Sequence, residues 1–211
     1  MKKILVGALT LVAASSFANI ITFDDGAVGE GDVLSTQYAG VTFTGGNTTG
    51  ANIPLTGDSG ATSWATNMGM HITSTDIGGG SGAPLSGFLL QSFTDYLNWD
   101  GDSIFTINFT DNISAISIDF GGIADVDSTR IFAISGNSIV AQTSATGTSS
   151  IQTLSLSGLN VNTIVVTAGD YLDWVGVDNI NYTTTVPEPA SMAALGLGAL
   201  ALIRRRKAAK K

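Results

Sequence analysis

Two acidic pairs carry the clearest chemistry in this chain. In Ile21-Thr22-Phe23-Asp24-Asp25, strand alternation places Asp25 on the face of Ile21 and Phe23. In Val177-Asp178-Asn179-Ile180-Asn181-Tyr182, it places Asp178 on the face of Ile180 and Tyr182. A carboxylate on a core-facing side is costly unless it is paired or bound to a metal. Between the two ends of the chain the only basic side chain is Arg130. Ca²⁺ is then the natural partner, a structural ion held by Asp24, Asp25, Asp178 and Asn179 with help from backbone carbonyls. The same residues also suit strand ends, where Asp and Asn side chains close Asx-turns. Both readings stay open at the level of sequence. Asn98-Trp99-Asp100-Gly101-Asp102 and Asp125/Asp127 are weaker loops of the same kind.

Aromatic residues offer a second chemistry. Sugars are held by aromatic platforms together with hydrogen-bonding Asn, Asp and Gln. Tyr96-Leu97-Asn98-Trp99-Asp100 supplies both in a segment that reads as a loop, so Tyr96 and Trp99 are the candidate ligand-binding residues. Trp64 and Tyr171-x-x-Trp174 are further candidates, with Trp174 better read as a core residue opening the last strand.

Catalytic constellations fare worse. His71 is the only histidine, which excludes a His-rich metal site. Gly57-Asp58-Ser59-Gly60 resembles the nucleophile loop of trypsin-like proteases, but His71 follows Ser59 where that family needs it before. Gly147-Thr148-Ser149 with His71 has the chain order of subtilisin-like proteases, without their surrounding segments or α/β fold. Asp125-x-Asp127-x-Thr129 lacks the lysine and helices that a haloacid-dehalogenase-type phosphatase requires. Glu30 is the only glutamate between the two ends, so an acid–base pair for glycoside cleavage would have to use Asp. No catalytic residue is assigned, and the chain is not expected to be an enzyme.

The elements that must position these residues are strands. Phe105, Ile107 and Phe109 alternate along one face, as do Ile116, Ile118 and Phe120. Further strands are expected at Ile20–Phe23, Gly40–Thr44, Phe88–Phe93, Ile131–Ser135, Ser138–Thr143, Ile151–Ser157, Thr163–Thr167 and Trp174–Thr183. Gly136-Asn137 marks a tight hairpin. About ten short strands joined by Gly-rich turns predict an all-β fold, an antiparallel jelly-roll β-sandwich. The stretch Gly45–Gly87 is too long for a plain connection and is expected to hold short strands or a functional loop.

The two ends differ from this body. Met1-Lys2-Lys3, the apolar run Ile4–Ala14 and Ser16-Phe17-Ala18 read as a secretory signal peptide over 1–18. At the other end, Ala190–Ile203 carries no charge and can lie in lipid as a helix, and Arg204-Arg205-Arg206-Lys207 follows on the side that stays cytoplasmic. Eight of the nine basic residues lie in these end segments. The domain over 19–185 keeps sixteen acidic residues against Arg130, a net charge near −15. Such a surface repels nucleic acid and suits a medium rich in divalent cations. The chain has no cysteine, so its stability comes from its core without disulfides.

Pro187-Glu188-Pro189, the apolar segment and Arg204, Arg205 and Arg206, in this order over 186–211, resemble the PEP-CTERM sorting signal of Gram-negative bacteria. The resemblance implies export through the Sec machinery and transient anchoring in the inner membrane by the C-terminal helix. It also implies processing by an exosortase and a destination at the cell surface or in an extracellular polysaccharide matrix. Phe23-Asp24-Asp25, Tyr38-Ala39-Gly40-Val41-Thr42-Phe43 and Val177-Asp178-Asn179-Ile180 look like the sandwich domains that commonly carry this tail. The acidic residues near both chain ends resemble those of carbohydrate-binding modules, in which such residues hold a structural Ca²⁺. Three roles stay open: a structural or adhesive matrix protein, a carbohydrate-binding module, and, least supported, an extracellular hydrolase.

Overall fold

Alternation of apolar and polar residues builds a sheet. The computed structural model describes residues 18–54, 63–64, 69–73, 85, 87, 89–93, 101–102, 104–123, 126–148, 151–169 and 175–185. Residues 1–17 of the expected signal peptide, Tyr96, Trp99, Tyr171, Trp174 and the whole sorting segment with Pro187, Glu188, Pro189, Arg204, Arg205 and Arg206 lie outside the described residues, whereas Ala18 is described. The chain divides into two units, one of residues 18–185 and one of Met1–Phe17 with Val186–Lys211. No described helix is long and apolar enough to cross a membrane.

The described residues form eleven strands: β1 (Ala18–Ile21), β2 (Val41–Gly45), β3 (Ser63–Trp64), β4 (Gly69–Thr73), β5 (Leu89–Phe93), β6 (Gly101–Asp102), β7 (Ile104–Gly121), β8 (Arg130–Ser135), β9 (Ser138–Ser144), β10 (Gln152–Thr167) and β11 (Gly176–Thr184). Nine of them make one antiparallel sheet in the order β4-β5-β11-β7-β10-β8-β9, with β1 on β11 and β2 on β7. The short β3 and β6 pair in parallel.

Two expected pairs of strands are single long ones. Phe105–Phe109 and Ile116–Phe120 both belong to β7, and Ile151–Ser157 and Thr163–Thr167 both fall along β10. Thr110-Asp111-Asn112 and Gly158-Leu159-Asn160 look like turn residues, yet both strands run on through them, with Gly158 in a left-handed conformation (φ 69°). The ladder absorbs them as register shifts between Ser157 and Thr163. Such shifts bend a strand and raise its twist.

The bends divide the sheet into two halves that share β7 and β10. In the first half, β7 near Phe105–Phe109 lies between β2 and the end of β10, followed by β8 and β9. In the second, β7 near Ile113–Gly121 lies between β11 and the start of β10, and β1 and β5 pair with β11. One apolar core takes inward residues from both, including Phe105, Ile107, Ile131 and Val166 from the first and Ile116, Ile118, Phe120, Val177 and Ile180 from the second.

A second cluster covers the outer face of the first half. Ile104, Phe132, Ile134 and Val165 point away from the main core and are buried against Ala51 and Ile53. The segment Gly46–Pro54 crosses this face, fixed by the buried Thr106. The Thr106 hydroxyl donates to the Gly46 carbonyl at 2.8 Å and accepts from the Thr48 N–H at 3.2 Å. The expected loop-rich stretch 45–87 thus holds one covering segment and the strands β3 and β4.

Candidate functional site

The two acidic pairs approach the second half of the sheet from separate chain segments. β11 carries Asp178, and the register sets it opposite Asp119 of β7. Ile118 and Phe120 point into the core, so Asp119 and its partner Asp178 point outward. Simple alternation put Asp178 with Ile180 and Tyr182. The structure differs because β11 shifts register between Asp178 and Asn181. Asn179 takes a left-handed conformation there (φ 48°), which Asn tolerates better than most residues. The extra residue reverses the faces on either side of it.

Asp178 is nonetheless buried, with 4 % of its surface exposed. Its Oδ1 accepts the Asn179 backbone N–H at 2.7 Å. Asn179 in turn donates from Nδ2 to Asp119 Oδ2 at 3.1 Å. The other Asp119 oxygen accepts the Thr153 hydroxyl at 2.6 Å. Burial above all pushes the Asp178 carboxyl up to about 6; the charges of Asp24 and Asp119 push the same way, and the Asn179 N–H opposes them.

The first pair is split by the turn that follows β1. Phe23 is fully buried in a left-handed conformation (φ 56°), rare for an aromatic residue. The turn leaves Asp24 and Asp25 exposed and sends them different ways. Asp24 acts on Asp178, and its carboxylate lies so close to Gly87 that any side chain there would collide with it. Asp25 Oδ1 accepts the Ala27 N–H at 3.0 Å, an Asx-turn, and the Tyr38 hydroxyl at 3.3 Å. Tyr38 packs edge-on against Phe23 and Phe43 with ring centroids 6.0 and 6.4 Å away. Burial first, then Asp25, holds its hydroxyl well above the usual tyrosine range, and Asp178 adds to this.

The structure therefore brings Asp24, Asp178 and Asn179 to one place and adds Asp119, Thr153, Tyr38 and Gly87. Asp25 instead binds its own turn and Tyr38. Asp119 was legible in Ile118-Asp119-Phe120 as an outward carboxylate, but nothing in the sequence tied it to Asp178. Among the described residues, no group of three or more His, Cys, Asp or Glu is arranged to hold a metal ion. The arrangement holds a buried acid among other acids. Arg130, the one basic residue of this unit, lies elsewhere, donating from Nη2 to the Pro54 carbonyl at 3.1 Å and sitting 5.5 Å from the centre of the Phe132 ring. His71 lies on β4, paired with Gln91 of β5.

No sequence among curated proteins matches this chain. Among solved structures, the family 32 carbohydrate-binding module of C. perfringens NanJ, in complex with galactose, is 15 % identical with a TM-score of 0.34, covering 55 % of this chain and 93 % of that one. The K3 cleaved adhesin domain of Lys-gingipain from Porphyromonas gingivalis is 12 % identical with a TM-score of 0.40, covering 81 % and 100 %. Likeness at this level assigns no ligand. Residues 185–207 match the PEP-CTERM protein-sorting motif, so this chain carries the C-terminal signal of an exported protein that is sorted by an exosortase.

Proposed function

We propose that this chain is a structural or adhesive protein of the cell surface or exopolysaccharide matrix of a Gram-negative bacterium. The single observation that carries this reading is the sorting motif at 185–207. A signal peptide over 1–18 takes the chain through the Sec machinery, and the C-terminal helix holds it in the inner membrane until an exosortase acts near Pro187-Glu188-Pro189. The domain over 19–185 is then a jelly-roll sandwich without catalytic activity. Its own ends support this division. Asn19 pairs with Tyr182, and Thr185 closes the ladder with its N–H and hydroxyl on the Asn112 carbonyl at 2.7 and 2.9 Å. Cleavage at the Pro-Glu-Pro would remove none of these bonds. The test is to follow a tagged full chain in its cell. Alanine at Pro187, Glu188 and Pro189 should leave a longer species in the inner-membrane fraction. Normal shortening and release of that variant would sink the reading.

Two further assignments belong with it. Tyr96 and Trp99 would bind polysaccharide if the domain is a carbohydrate-binding module, and binding that survives alanine at both removes that alternative. A structural Ca²⁺ at Asp24, Asp25, Asp178 and Asn179 would require these side chains to close on the ion, since no three acids among the described residues are arranged to hold one. The support is the repulsion around the buried Asp178, which a hard divalent cation would relieve. Asp25 belongs to this set only if it leaves Tyr38.

A further inference from the structure

An edge strand is a template for another strand, because one row of its N–H and C=O groups has no partner within the sheet. The edges of this sheet are treated differently. β4 is covered: Ile72 exchanges hydrogen bonds with the backbone of Gly31 and Asp32 at 2.8 and 2.9 Å. β2 is met by Ser35, whose carbonyl accepts the Phe43 N–H at 2.7 Å. β1 has only 4 residues. β9 has 7 residues, ends the sheet, and meets no other backbone on its outer side among the described residues. Its sequence, Ser138-Ile139-Val140-Ala141-Gln142-Thr143-Ser144, has no charge and no proline, the usual protections of an edge. Ser138, Val140 and Gln142 are exposed, Val140 at 55 %. The one protective device is a register shift on its inner side, between Ala133 and Ile134 of β8.

Charge says what can come there. The domain has a net charge near −15, yet from Ser128 to Gly169 there is no acidic residue, and Arg130 is the only charge. That run makes up β8, β9 and β10, the whole margin of the sheet on this side. Two such acidic bodies repel over most of their surfaces, and β9 is where two copies meet with least repulsion. Antiparallel self-pairing of β9 places no like charges opposite one another. A two-fold contact of this kind is isologous and closes at two copies.

We propose that β9 is a self-association edge, along which two copies of this chain pair antiparallel and join their sheets. Pairing over the strand would share an edge ~20 Å long. The proposal is independent of sugar or Ca²⁺ binding, and it adds a mode of cohesion to the matrix role.

The chain has no cysteine, which permits a direct test. Single cysteines are placed on the full chain in mild detergent at Ser138, Val140 or Gln142, and as controls at Ile20 and Val33, which are 55 % and 54 % exposed. A short bismaleimide is then added at micromolar protein. In an antiparallel pair only the position nearest the two-fold axis lies opposite itself, so cross-linked dimer should form strongly at one of the three β9 positions, fall off at the others, and not form at the controls. Val140→Glu, combined with cysteine at Ser138 or Gln142 and read with a bismaleimide long enough to span the pair, adds a carboxylate to each strand of the contact and should lower the dimer yield on the order of tenfold. Its melting temperature, read alongside, shows that the fold is kept, since Val140 is exposed. Equal cross-linking at Ile20 and Val33 would place the association elsewhere, for example in the tail, and overturn the proposal. Absence of dimer at all five positions would overturn it as well.

Discussion

The two halves of the sheet share β7 and β10 but treat their outer faces in opposite ways. In the first half the outward residues Ile104, Phe132, Ile134 and Val165 are apolar, and Gly46–Pro54 buries them. In the second half the outward residues are Ser117, Asp119, Thr153 and Ser155, and Thr153 and Ser155 are exposed. The sequence records the difference. Ile131–Ile134 and Ile164–Val166 are continuous apolar runs, as expected of strands covered on both faces. Gln152–Ser157 and Ala115–Phe120 alternate, as expected of strands covered on one. A single chain segment thus decides whether the same two strands read as buried or half-buried. Asp178 is the exception, a carboxylate buried on the otherwise polar side.

The sharpest way to break the comparison is truncation on the outer faces. Phe132→Ala should destabilise the protein by about 3–5 kcal/mol, as for a large core residue, although it lies outside the main core. Ser155→Ala, on the outer face of the other half, should change stability by less than about 0.5 kcal/mol. Urea denaturation of both variants measures the contrast. A cost below about 1 kcal/mol for Phe132→Ala would mean that Gly46–Pro54 does not pack as described.

Asp178→Asn sharpens the exception. The folded carboxyl lies at about 6 and the unfolded one near 3.8. The folded state therefore binds the proton more tightly. The stability this group contributes is fully present below about pH 4 and is lost as pH rises through 6. At pH 7 in chelator the ionised group costs on the order of 2–3 kcal/mol, and Asp178→Asn should recover much of it. In Ca²⁺ the sign should reverse if the proposed ion is held there, since the substitution removes a ligand charge. Denaturation at pH 4 and pH 7, with chelator and with Ca²⁺, separates these outcomes. A wild-type stability independent of both pH and Ca²⁺ would leave Asp178 as an ordinary polar residue of the bulge.

These contrasts also show how far the sequence could be read. Ile131–Ser135 and Ser138–Thr143 were legible almost to the residue, because the Gly136-Asn137 turn between them fixes their ends and apolar, β-branched residues fill both. The continuity of β7 and β10 was not, because Asp111, Asn112, Gly158 and Asn160 suit a turn as well as a bend held by a neighbouring ladder. Gly69–Thr73 was hidden in a Gly-rich stretch, since its pairing with β5 and with Gly31 and Asp32 is a long-range fact. At the candidate site, one ion held by both acidic pairs needs the first and last strands to be neighbours, and β1 and β11 are paired. The face of Asp178 did not follow, because one residue in a left-handed conformation inverts a period of two. Nor did the parting of Asp24 from Asp25, which depends on the unusual backbone at Phe23.

The smallest effect tests the comparison with one substitution made twice. Thr106 and Thr153 both lie on outer faces, and both use their hydroxyls to tie another residue to the sheet. Thr106 is fully buried beneath Gly46–Pro54, whereas Thr153 is exposed beside Asp119. Thr106→Val leaves the Gly46 carbonyl and the Thr48 N–H without their partner away from water, which should cost about 1–2 kcal/mol. Thr153→Val frees an Asp119 oxygen that water can reach, so its cost should stay below about 0.5 kcal/mol. Valine keeps the shape and suits a strand in both places, so the difference between the two costs reports the cover itself. Equal costs would mean that water reaches Thr106 as readily as Thr153, and the distinction between a covered and an open half would fail.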